Sequence, residues 1–287
     1  MQVATKLNNI VTNTNVTVNV VVLNINTKGK QEYAYQVLGT TLSNWTSNAF
    51  GDYPVSYLEF DSSVDMLKFI SSHTQGTTYT VFVNSNMPLL TADNARKLVE
   101  YAVFKQINLC KFTGGYVANN VYLRQTNAPI CDSVYSYDMD NYYIVENKKQ
   151  LGYIAKVLQQ RIFDYHLQNG VTIMSEKGLT VEPDVEIAQG VIVYGGNILK
   201  GHTFVGKNTI LKENNVIENS VVGNNCGISG SVIDNSKIGN DTYVMPFCNI
   251  DNSVIGNNCT IKSYVQLTNQ KIKNGVVLSP AGDVEDK

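Results

Sequence analysis

The chain has 287 residues with a formal net charge of −2, and 16% of its residues are charged. Ordinary soluble domains carry about 25% charged residues, so Asn, Thr, Ser and Gly must provide much of the polar surface. The sequence has neither a basic patch of the kind that binds nucleic acid nor an apolar run long enough to span a membrane. Its N-terminus lacks an apolar core of signal-peptide length, which predicts a cytoplasmic protein without nucleic-acid or membrane partners.

The first half of the chain alternates strand-like and helix-like segments, a pattern typical of an α/β domain. Strands are predicted at residues 16–24, 55–60, 79–84, 107–112, 115–124 and 141–145. Helices are predicted at 31–48, from an N-cap at Asp61 to residue 72, and from an N-cap at Thr91 to residue 106. We therefore expect a mostly parallel sheet covered by helices.

A longer helix is predicted from residue 147 to residue 168. Its apolar residues fall at spacings of three and four and form one stripe, at Leu151, Ile154, Leu158, Ile162 and Tyr165. Gly170 then supplies a stop signal. We expect an α/β domain over 1–146, a connecting helix over 147–170 and a repeat domain over 171–287.

The second half of the chain repeats an aliphatic residue every five or six positions. The series is Val181, Ile187, Val193, Leu199, Val205, Leu211, Ile217, Val222, Ile228, Ile233, Ile238, Val244, Ile250, Ile255, Ile261, Leu267, Ile272 and Leu278. Helices repeat an apolar face every three to four residues and strands every two, so this period predicts a parallel β-helix of about six coils. Glycines directly after the aliphatic residue, as at Gly206 and Gly223, indicate turns with conformations that other residues resist.

The five cysteines form no C-x-x-C pair of the kind that binds metal. Cys226, Cys248 and Cys259 occupy a small inward position four residues after the aliphatic one, and Cys110 and Cys131 lie in apolar surroundings. These positions predict reduced, buried thiols.

Three segments resemble the bacterial bifunctional N-acetylglucosamine-1-phosphate uridyltransferase and glucosamine-1-phosphate acetyltransferase family. Residues 161–211 look like its domain junction and first coils, 81–101 resemble the region of its G-D-x-P-L-L motif, and 145–162 resemble its G-V-N-N-R-x-Q-L helix. The resemblance covers about 75–270. It implies a left-handed β-helix and a reduced, uridyltransferase-like N-terminal domain.

The family's Gly-rich phosphate loop, L-A-A-G-x-G-T-R-M, is poorly matched. Here the same place reads LNINTKGKQEY, at residues 23–33, with Gly29 as its one glycine. A phosphate cradle needs backbone that phosphates can approach closely. Lys28 and Lys30 are candidate phosphate ligands, and a solvated loop is the alternative interpretation.

The family's metal-binding positions also differ in this chain. Its magnesium-binding Asp is replaced by Asn86, and its second ligand, an Asn, falls at Glu146. Magnesium usually takes one or two carboxylates, so a neutral amide at Asn86 should weaken the site greatly. The segment ending at Glu146 also resembles the family's earlier E-Y-Y-L-T-D strand, and both alignments hold only if an intervening segment has been lost.

Two further asparagines are candidate sugar contacts. Asn119 and Asn120, in YVANNVYL, resemble the family's sugar-contacting N-T-G-I-Y segment. Asparagines without a ligand role, in a loop, are the alternative interpretation.

The acetyltransferase half of the family is matched less well. Residues 245–250 (MPFCNI) resemble its G-P-F-A-x-L-R, but the Arg that should follow is missing, and its later coils with the catalytic His have no counterpart. His73 and His166 fall on predicted helices and His202 in a turn, so none is placed as a general base. We predict no catalytic residue.

The function expected from the resemblance is a divergent relative of the UDP-N-acetylglucosamine synthetic enzyme. It would have lost most or all catalysis and would keep sugar-nucleotide binding or a scaffold role. The alternative is an active sugar-1-phosphate nucleotidyltransferase in which Asn86, Glu146 and a rebuilt loop hold one magnesium ion; an acyltransferase is the third possibility. Because outward positions of the repeat are apolar, and the family covers such positions by packing three β-helices together, we also predict a homotrimer.

Overall fold

A computed structural model describes residues 16–26, 31–61, 64–73, 76–126, 128–136, 139–280 and 284–286 of the chain. The chain folds into two compact units, Met1–Ala155 and Lys156–Lys287. Over the described ranges, no helix has both the length and the apolar character needed to cross a membrane.

The first unit is built on a six-stranded sheet, with a separate two-stranded hairpin. The strands of this unit are β1 (Val18–Asn26), β2 (Gln36–Val37), β3 (Thr40–Thr41), β4 (Val55–Asp61), β5 (Tyr79–Asn84), β6 (Leu109–Phe112), β7 (Gly115–Asn119) and β8 (Ser133–Val134). The sheet has the order β4-β1-β5-β7-β6-β8, while β2 and β3 form a separate hairpin. Strand β7 runs antiparallel to both of its neighbours and the other pairs are parallel. The prediction of an α/β domain with a mostly parallel sheet is confirmed.

Four helices accompany this sheet, and a fifth contains the boundary between the units. They are α1 (Leu42–Asn48), α2 (Met66–Ser72), α3 (Ala92–Phe104), α4 (Asn120–Gln125) and α5 (Leu151–Gln168), with 3₁₀ turns at Glu32–Ala34, Met139–Asn141 and Lys148–Gln150. Strands β1 and β5 are buried on both faces, because Val20 and Val81 join one apolar cluster and Val21 and Phe82 another. This double burial explains the nearly continuous apolar run of β1.

Several sequence predictions in this unit are wrong. Residues 142–145 form no strand, since the backbone of Val145 bonds to Asn86 and not to a sheet neighbour. The predicted strand over 115–124 ends at Asn119, and α4 follows. Asp61 ends β4, and the N-cap of α2 is Asp65, whose carboxylate accepts from the backbone N–H groups of residues 67 and 68. The predicted helix over 31–48 is a 3₁₀ turn, a hairpin and α1.

The second unit is a left-handed parallel β-helix, as predicted. Its strands are β9 (Thr172–Ile173), β10 (Thr180–Val181), β11 (Glu186–Ile187), β12 (Ile192–Val193), β13 (Ile198–Lys200), β14 (Phe204–Val205), β15 (Ile210–Leu211), β16 (Val216–Glu218), β17 (Val221–Val222), β18 (Gly227–Ile228), β19 (Val232–Asp234), β20 (Lys237–Ile238), β21 (Tyr243–Val244), β22 (Asn249–Asp251), β23 (Val254–Ile255), β24 (Thr260–Ile261), β25 (Gln266–Thr268), β26 (Lys271–Ile272), β27 (Val276–Leu278) and β28 (Val284–Asp286).

Three sheets form the sides of the β-helix. We call them face 1 (β10-β13-β16-β19-β22-β25), face 2 (β11-β14-β17-β20-β23-β26) and face 3 (β9-β12-β15-β18-β21-β24-β27-β28). All pairs are parallel except β27 with β28. At the first coil, Gln159 of α5 exchanges side-chain hydrogen bonds with the backbone of Val181, and Phe163 joins the aliphatic core.

The register predicted for the repeat is confirmed. All eighteen aliphatic residues of the series point inward and are buried, except Ile272, which is half-buried. The small inward residues stack from coil to coil through their side chains, and the backbone N–H of Cys226 donates to Oγ1 of Thr209 at 3.0 Å. The inward cysteines are free thiols, and burial raises the pKa of Cys226 and Cys248.

The turn glycines have a different role from the one inferred from the sequence. Left-handed backbone occurs two residues after each of them, as at Asn208 and Asn225, and not at the glycines themselves. A Cβ on Gly206 would lie 2.6 Å from the backbone of Gly223, and one on Gly239 would lie 2.5 Å from that of Gly256. Close packing of successive coils, rather than turn conformation, therefore requires glycine at these positions.

Candidate functional site

The carboxyl ends of β1 and β5 lie side by side in the middle of the first sheet. The chain leaves β1 towards β4 on one side and leaves β5 towards β6 on the other. Open α/β sheets bind ligands in the crevice at such a reversal, outside the carboxyl ends of the strands. We call the described residues at these strand ends, Asn24 and Asn84–Asn86, together with residues 145–146 next to them, the carboxyl edge.

Asn86 lies at the carboxyl edge and is joined to the segment that leads to Glu146. Its Nδ2 donates to the carbonyl oxygen of Val145 at 2.8 Å, and the N–H of Val145 donates to the carbonyl oxygen of Asn86 at 2.9 Å. Glu146 follows directly and is exposed. The structure therefore brings together the two positions that the sequence resemblance proposed as metal ligands.

Two amide oxygens at this edge are buried without a hydrogen-bond partner in the described part of the chain: Oδ1 of Asn84 and Oδ1 of Asn86. For Asn86 the amide orientation follows from chemistry, because only its NH₂ group can donate to the Val145 carbonyl. A buried acceptor left unsatisfied costs about 1–3 kcal/mol. Such atoms in a native fold call for an explanation, and a ligand that donates hydrogen bonds would satisfy both.

Helix α1 holds this edge in place. Oγ1 of Thr46, which is fully buried, lies 2.9 Å from the carbonyl oxygen of Ser85 and accepts from the N–H of Met87 at 3.0 Å. Oγ of Ser43 donates to Oδ1 of Asn24, near the end of β1, at 3.0 Å. Sequence reasoning missed Asn84, Ser43 and Thr46; the signal for Asn84 was its position two residues before Asn86, at the end of a strong strand.

The residues at this edge fit magnesium poorly. They offer the neutral Oδ1 of Asn86 and the exposed carboxylate of Glu146. No group of three or more His, Cys, Asp and Glu side chains in the described ranges is placed to hold a metal ion. Magnesium demands near-ideal octahedral oxygen geometry and favours carboxylates, and these two oxygens do not supply such a set.

Asn119 and Asn120 lie at the opposite edge of the sheet. Asn119 pairs with Tyr79, the first residue of β5. The length of β5 places Asn119 roughly 15–20 Å from the carboxyl end of that strand, where Asn84 lies. Oδ1 of Asn119 caps α4 by accepting from the N–H of Val121 at 2.9 Å. Asn120 is fully buried and its Nδ2 donates to the carbonyl oxygen of Thr77 at 2.8 Å. A sugar contact by either residue would therefore form a separate site from Asn86.

The remaining candidates give no acid–base pair. Lys28 and Lys30 lie outside the described residues. His73 ends α2 with Nδ1 2.8 Å from the carbonyl oxygen of Phe69, and His202 is exposed in a turn. His166 is 3% exposed, its Nδ1 has no partner in the described structure, and burial lowers its pKa.

The β-helix carries an exposed aromatic pair at the turn between faces 3 and 1. Phe247 and Tyr264 lie in successive coils with left-handed φ angles of 68° and 66°, and their rings stack with centroids 5.1 Å apart. Left-handed backbone costs a residue with a side chain roughly 1–2 kcal/mol, whereas an aromatic pair returns about 0.5–1.5 kcal/mol. The rings are 61% and 64% exposed, so burial does not supply the difference.

A groove of about 730 Å³ lies beside this pair on face 3. Its floor has no side chain at Gly227, where a Cβ would lie 2.8 Å from the ring of Tyr243 in the next coil. Its lining residues are Asn208, Ile210, Lys212, Asn225, Cys226, Gly227, Ser229, Tyr243, Val244, Met245, Pro246 and Thr260. Phe247 directly follows the lining residue Pro246, so the aromatic pair begins at the turn next to the groove, although neither ring lines it.

Comparison with known proteins confirms the resemblance over the C-terminal part of the chain. The family model for bacterial transferase hexapeptide (six repeats) matches residues 235–269. Over 106 residues the chain is 41% identical to the bifunctional protein GlmU of Clostridium acetobutylicum, a match that covers 37% of this chain and 23% of that protein. GlmU of Clostridium novyi is 36% identical over 136 residues, which are 47% of this chain and 30% of that protein.

The matches to these relatives therefore span less than a third of their length. Among solved structures, a hexapeptide transferase family protein from Anaplasma phagocytophilum has a TM-score of 0.35 and 19% identity, covering 37% of this chain and 68% of that one.

Proposed function

We propose that the carboxyl edge binds a sugar nucleotide and that nucleotidyl transfer by this chain is lost or strongly reduced. The observation that carries the proposal is the pair of buried, unpartnered amide oxygens of Asn84 and Asn86 within the described structure. Similarity to GlmU in the β-helix supports a place among transferases of sugar-nucleotide pathways. The first unit would then keep a ligand site of this family without its chemistry.

The proposed ligand follows from what the two oxygens can accept. A carbonyl oxygen binds O–H and N–H donors, and the hydroxyl groups of a ribose or a pyranose ring supply such donors in pairs. A ligand that lacks these donors would leave both acceptors unsatisfied in a water-poor site, which is how polar sites discriminate strongly. Hydroxyl-rich sugar nucleotides therefore suit this edge better than apolar ligands.

The loss of catalysis follows from the same residues. Nucleotidyl transfer depends on fixed charge that stabilises the phosphates in the transition state, supplied by metal and by oriented donors. Asn86 contributes no charge, and Asn24, Ser43, Thr46 and Asn84 near it are also neutral, so Glu146 is the charged side chain named at this edge. One exposed carboxylate without a second charged ligand supports binding rather than turnover.

An active nucleotidyltransferase is the second candidate. It is favoured by one observation, the hydrogen bonds that hold Asn86 beside the segment of Glu146. In that case Asn86 and Glu146 would bind one magnesium ion, and removal of magnesium would abolish both binding of UTP and turnover. An acyltransferase is not supported by the positions of His73, His166 and His202.

Titration calorimetry of the full chain tests the proposal. UDP-N-acetylglucosamine, UTP and acetyl-coenzyme A are titrated in turn, with magnesium and with EDTA. We expect UDP-N-acetylglucosamine to bind equally well in both conditions. Asn84→Leu, which removes one acceptor at similar volume, should weaken binding at least tenfold, because the ligand's donor loses its partner.

Asn119→Asp is the matched control. It lies at the opposite edge of the sheet, and Asp is as good an N-cap as Asn, so the fold and the affinity should both be unchanged. Absence of binding at millimolar ligand, or equal losses in the Asn84 and Asn119 variants, would refute a site at the carboxyl edge.

A further inference from the structure

The aromatic pair next to the face 3 groove is not explained by folding of the β-helix. Earlier coils place Gly196, Asn214 and Gly230 at the corresponding left-handed positions, where these residue types are tolerated. Phe247 and Tyr264 are strained there, and both rings are exposed. Strained residues that the core does not need are concentrated at binding sites.

The groove beside the pair suits a planar ring. Most of its wall is apolar, with Ile210, Tyr243, Met245 and Pro246 as the large side chains. Its volume lies within the range of small-molecule pockets, and such pockets combine apolar walls with a few placed polar groups. At Gly230 an added Cβ would make only ordinary van der Waals contacts, the nearest with Pro246 at 3.7 Å, so the chain is not tightly packed at this position next to the groove.

The spacing of the coils also matches ring stacking. Neighbouring strands lie about 4.8 Å apart, and the Phe247 and Tyr264 rings, one coil apart, stack at 5.1 Å. Gly230 occupies the position in its coil that Phe247 occupies in the next coil. Because it is glycine, it places no side chain against the ring of Phe247. A planar ring at the level of Gly230 would extend the stack by one member.

The ammonium group of Lys212 gives the groove a cation with which an anionic ligand can pair. Lys212 is exposed on its wall, and no ion pair of this lysine occurs within the described residues. The other polar side chains of the wall, those of Asn208, Asn225, Ser229 and Thr260, are neutral, so Lys212 is the charged side chain among the lining residues. Lysine is a common phosphate ligand.

We propose that this groove binds a nucleoside phosphate, with the base stacked on the aromatic pair and the phosphate at Lys212. Aromatic side chains bind bases of any sequence by stacking, so the site recognises the class of ligand rather than one base. This proposal is independent of the site at the carboxyl edge, because every residue in it belongs to the second unit.

Calorimetric titration of the full chain with AMP is the test, with adenosine and inorganic phosphate as half-ligands. We expect AMP to bind at least tenfold more tightly than either half-ligand. Lys212→Met should raise the Kd for AMP about tenfold, to the value for adenosine. Phe247→Asn should raise it similarly while leaving the midpoint of thermal unfolding unchanged or higher, because Asn tolerates the left-handed conformation.

Phe104→Thr is the matched control, since it removes an exposed aromatic residue at the end of α3 in the first unit, and it should leave the Kd for AMP unchanged. Asn84→Leu should also leave it unchanged, which separates this site from the carboxyl edge. The proposal is wrong if AMP does not bind at millimolar concentration, or if Lys212→Met has no effect. It is also wrong if Phe247→Asn lowers the molar mass in light scattering, because the rings would then form an interface between copies.

Discussion

Nδ2 of Asn86 donates to the carbonyl oxygen of Val145 at 2.8 Å, which leaves Oδ1 of the same amide as a buried acceptor without a partner among the described residues. An aspartate at this position could not make that hydrogen bond in its ionised form. The amide thus fixes the loop after β5 to the segment before Glu146, and it gives the carboxyl edge a neutral acceptor where an aspartate would give a carboxylate. The same side chain therefore serves the local fold and bears on the proposed loss of catalysis.

The chain should show no uridyltransferase activity with magnesium, UTP and N-acetylglucosamine 1-phosphate, measured by release of pyrophosphate. Asn86→Asp alone should remain inactive, because restoring one charge does not supply the other groups that act on the same transition state. Turnover by the unmodified chain well above a reaction without enzyme, abolished by Asn86→Ala, would establish the active nucleotidyltransferase instead.

Truncation of an inward aliphatic residue should destabilise the β-helix strongly. Ile228 is fully buried between Leu211 and Val244 of the neighbouring coils, so Ile228→Ala should lower the free energy of unfolding by about 2–5 kcal/mol. Lys237→Thr, at an exposed outward position, should change it by no more than about 0.5 kcal/mol. Equal effects in denaturant titrations would contradict the register.

Substitution of a closely packed turn glycine by alanine should destabilise the β-helix. Gly239→Ala would place a Cβ 2.5 Å from the backbone of Gly256, and the coils must move apart to accept it. We expect a loss of stability of about 1–3 kcal/mol, as for other overpacked positions. Gly152→Ala in α5 meets no atom within 4 Å and should stabilise the chain by up to about 1 kcal/mol. Thermal unfolding of both variants checks the contrast in sign.

Stability of the β-helix should fall in mild acid through His166. Burial lowers the pKa of this imidazole in the folded state below its ordinary value of 6.5. As pH falls below 6.5, the unfolded chain takes up a proton that the folded chain resists, so the free energy of unfolding decreases until the folded pKa is reached. The contribution of His166 to stability is therefore fully present only above its ordinary pKa.

Unfolding of the chain at about pH 7.5 and about pH 5 measures this effect. His166→Phe should reduce the pH dependence, because it removes the titrating group from an apolar site. An identical slope in the wild type and in His166→Phe would exclude His166 as its source.

The chain should form a homotrimer in solution. Outward apolar residues are aligned on face 1 at Ile198, Val216 and Val232, and on face 2 at Phe204 and Val221. Such columns would leave large apolar areas in water on a single β-helix. Light scattering at micromolar concentration should give three times the chain mass, and Val216→Lys should reduce it. A mass of one chain in the wild type would refute the prediction.

The spacing in the sequence was enough to assign the β-helix. Each coil must place an aliphatic residue on each inward face, so the period fixes the register from Val181 to Leu278 without knowledge of the three-dimensional structure. The capping of α3 by Thr91 was likewise local, because the cap and its partner Asn94 lie three residues apart. Local spacing and local hydrogen bonds are visible in the sequence.

Tertiary structure alone decided which asparagines lie at the same edge of the sheet. The sequence does not reveal that β7 runs antiparallel to β5, and that direction places Asn119 and Asn120 at one edge of the sheet and Asn86 at the other. The pairing of Asn86 with Val145 joins residues 59 positions apart. The contact that demands Gly239 comes from Gly256 in the next coil. These features depend on which distant segments meet, because hydrogen bonding and close packing act through space and not along the chain.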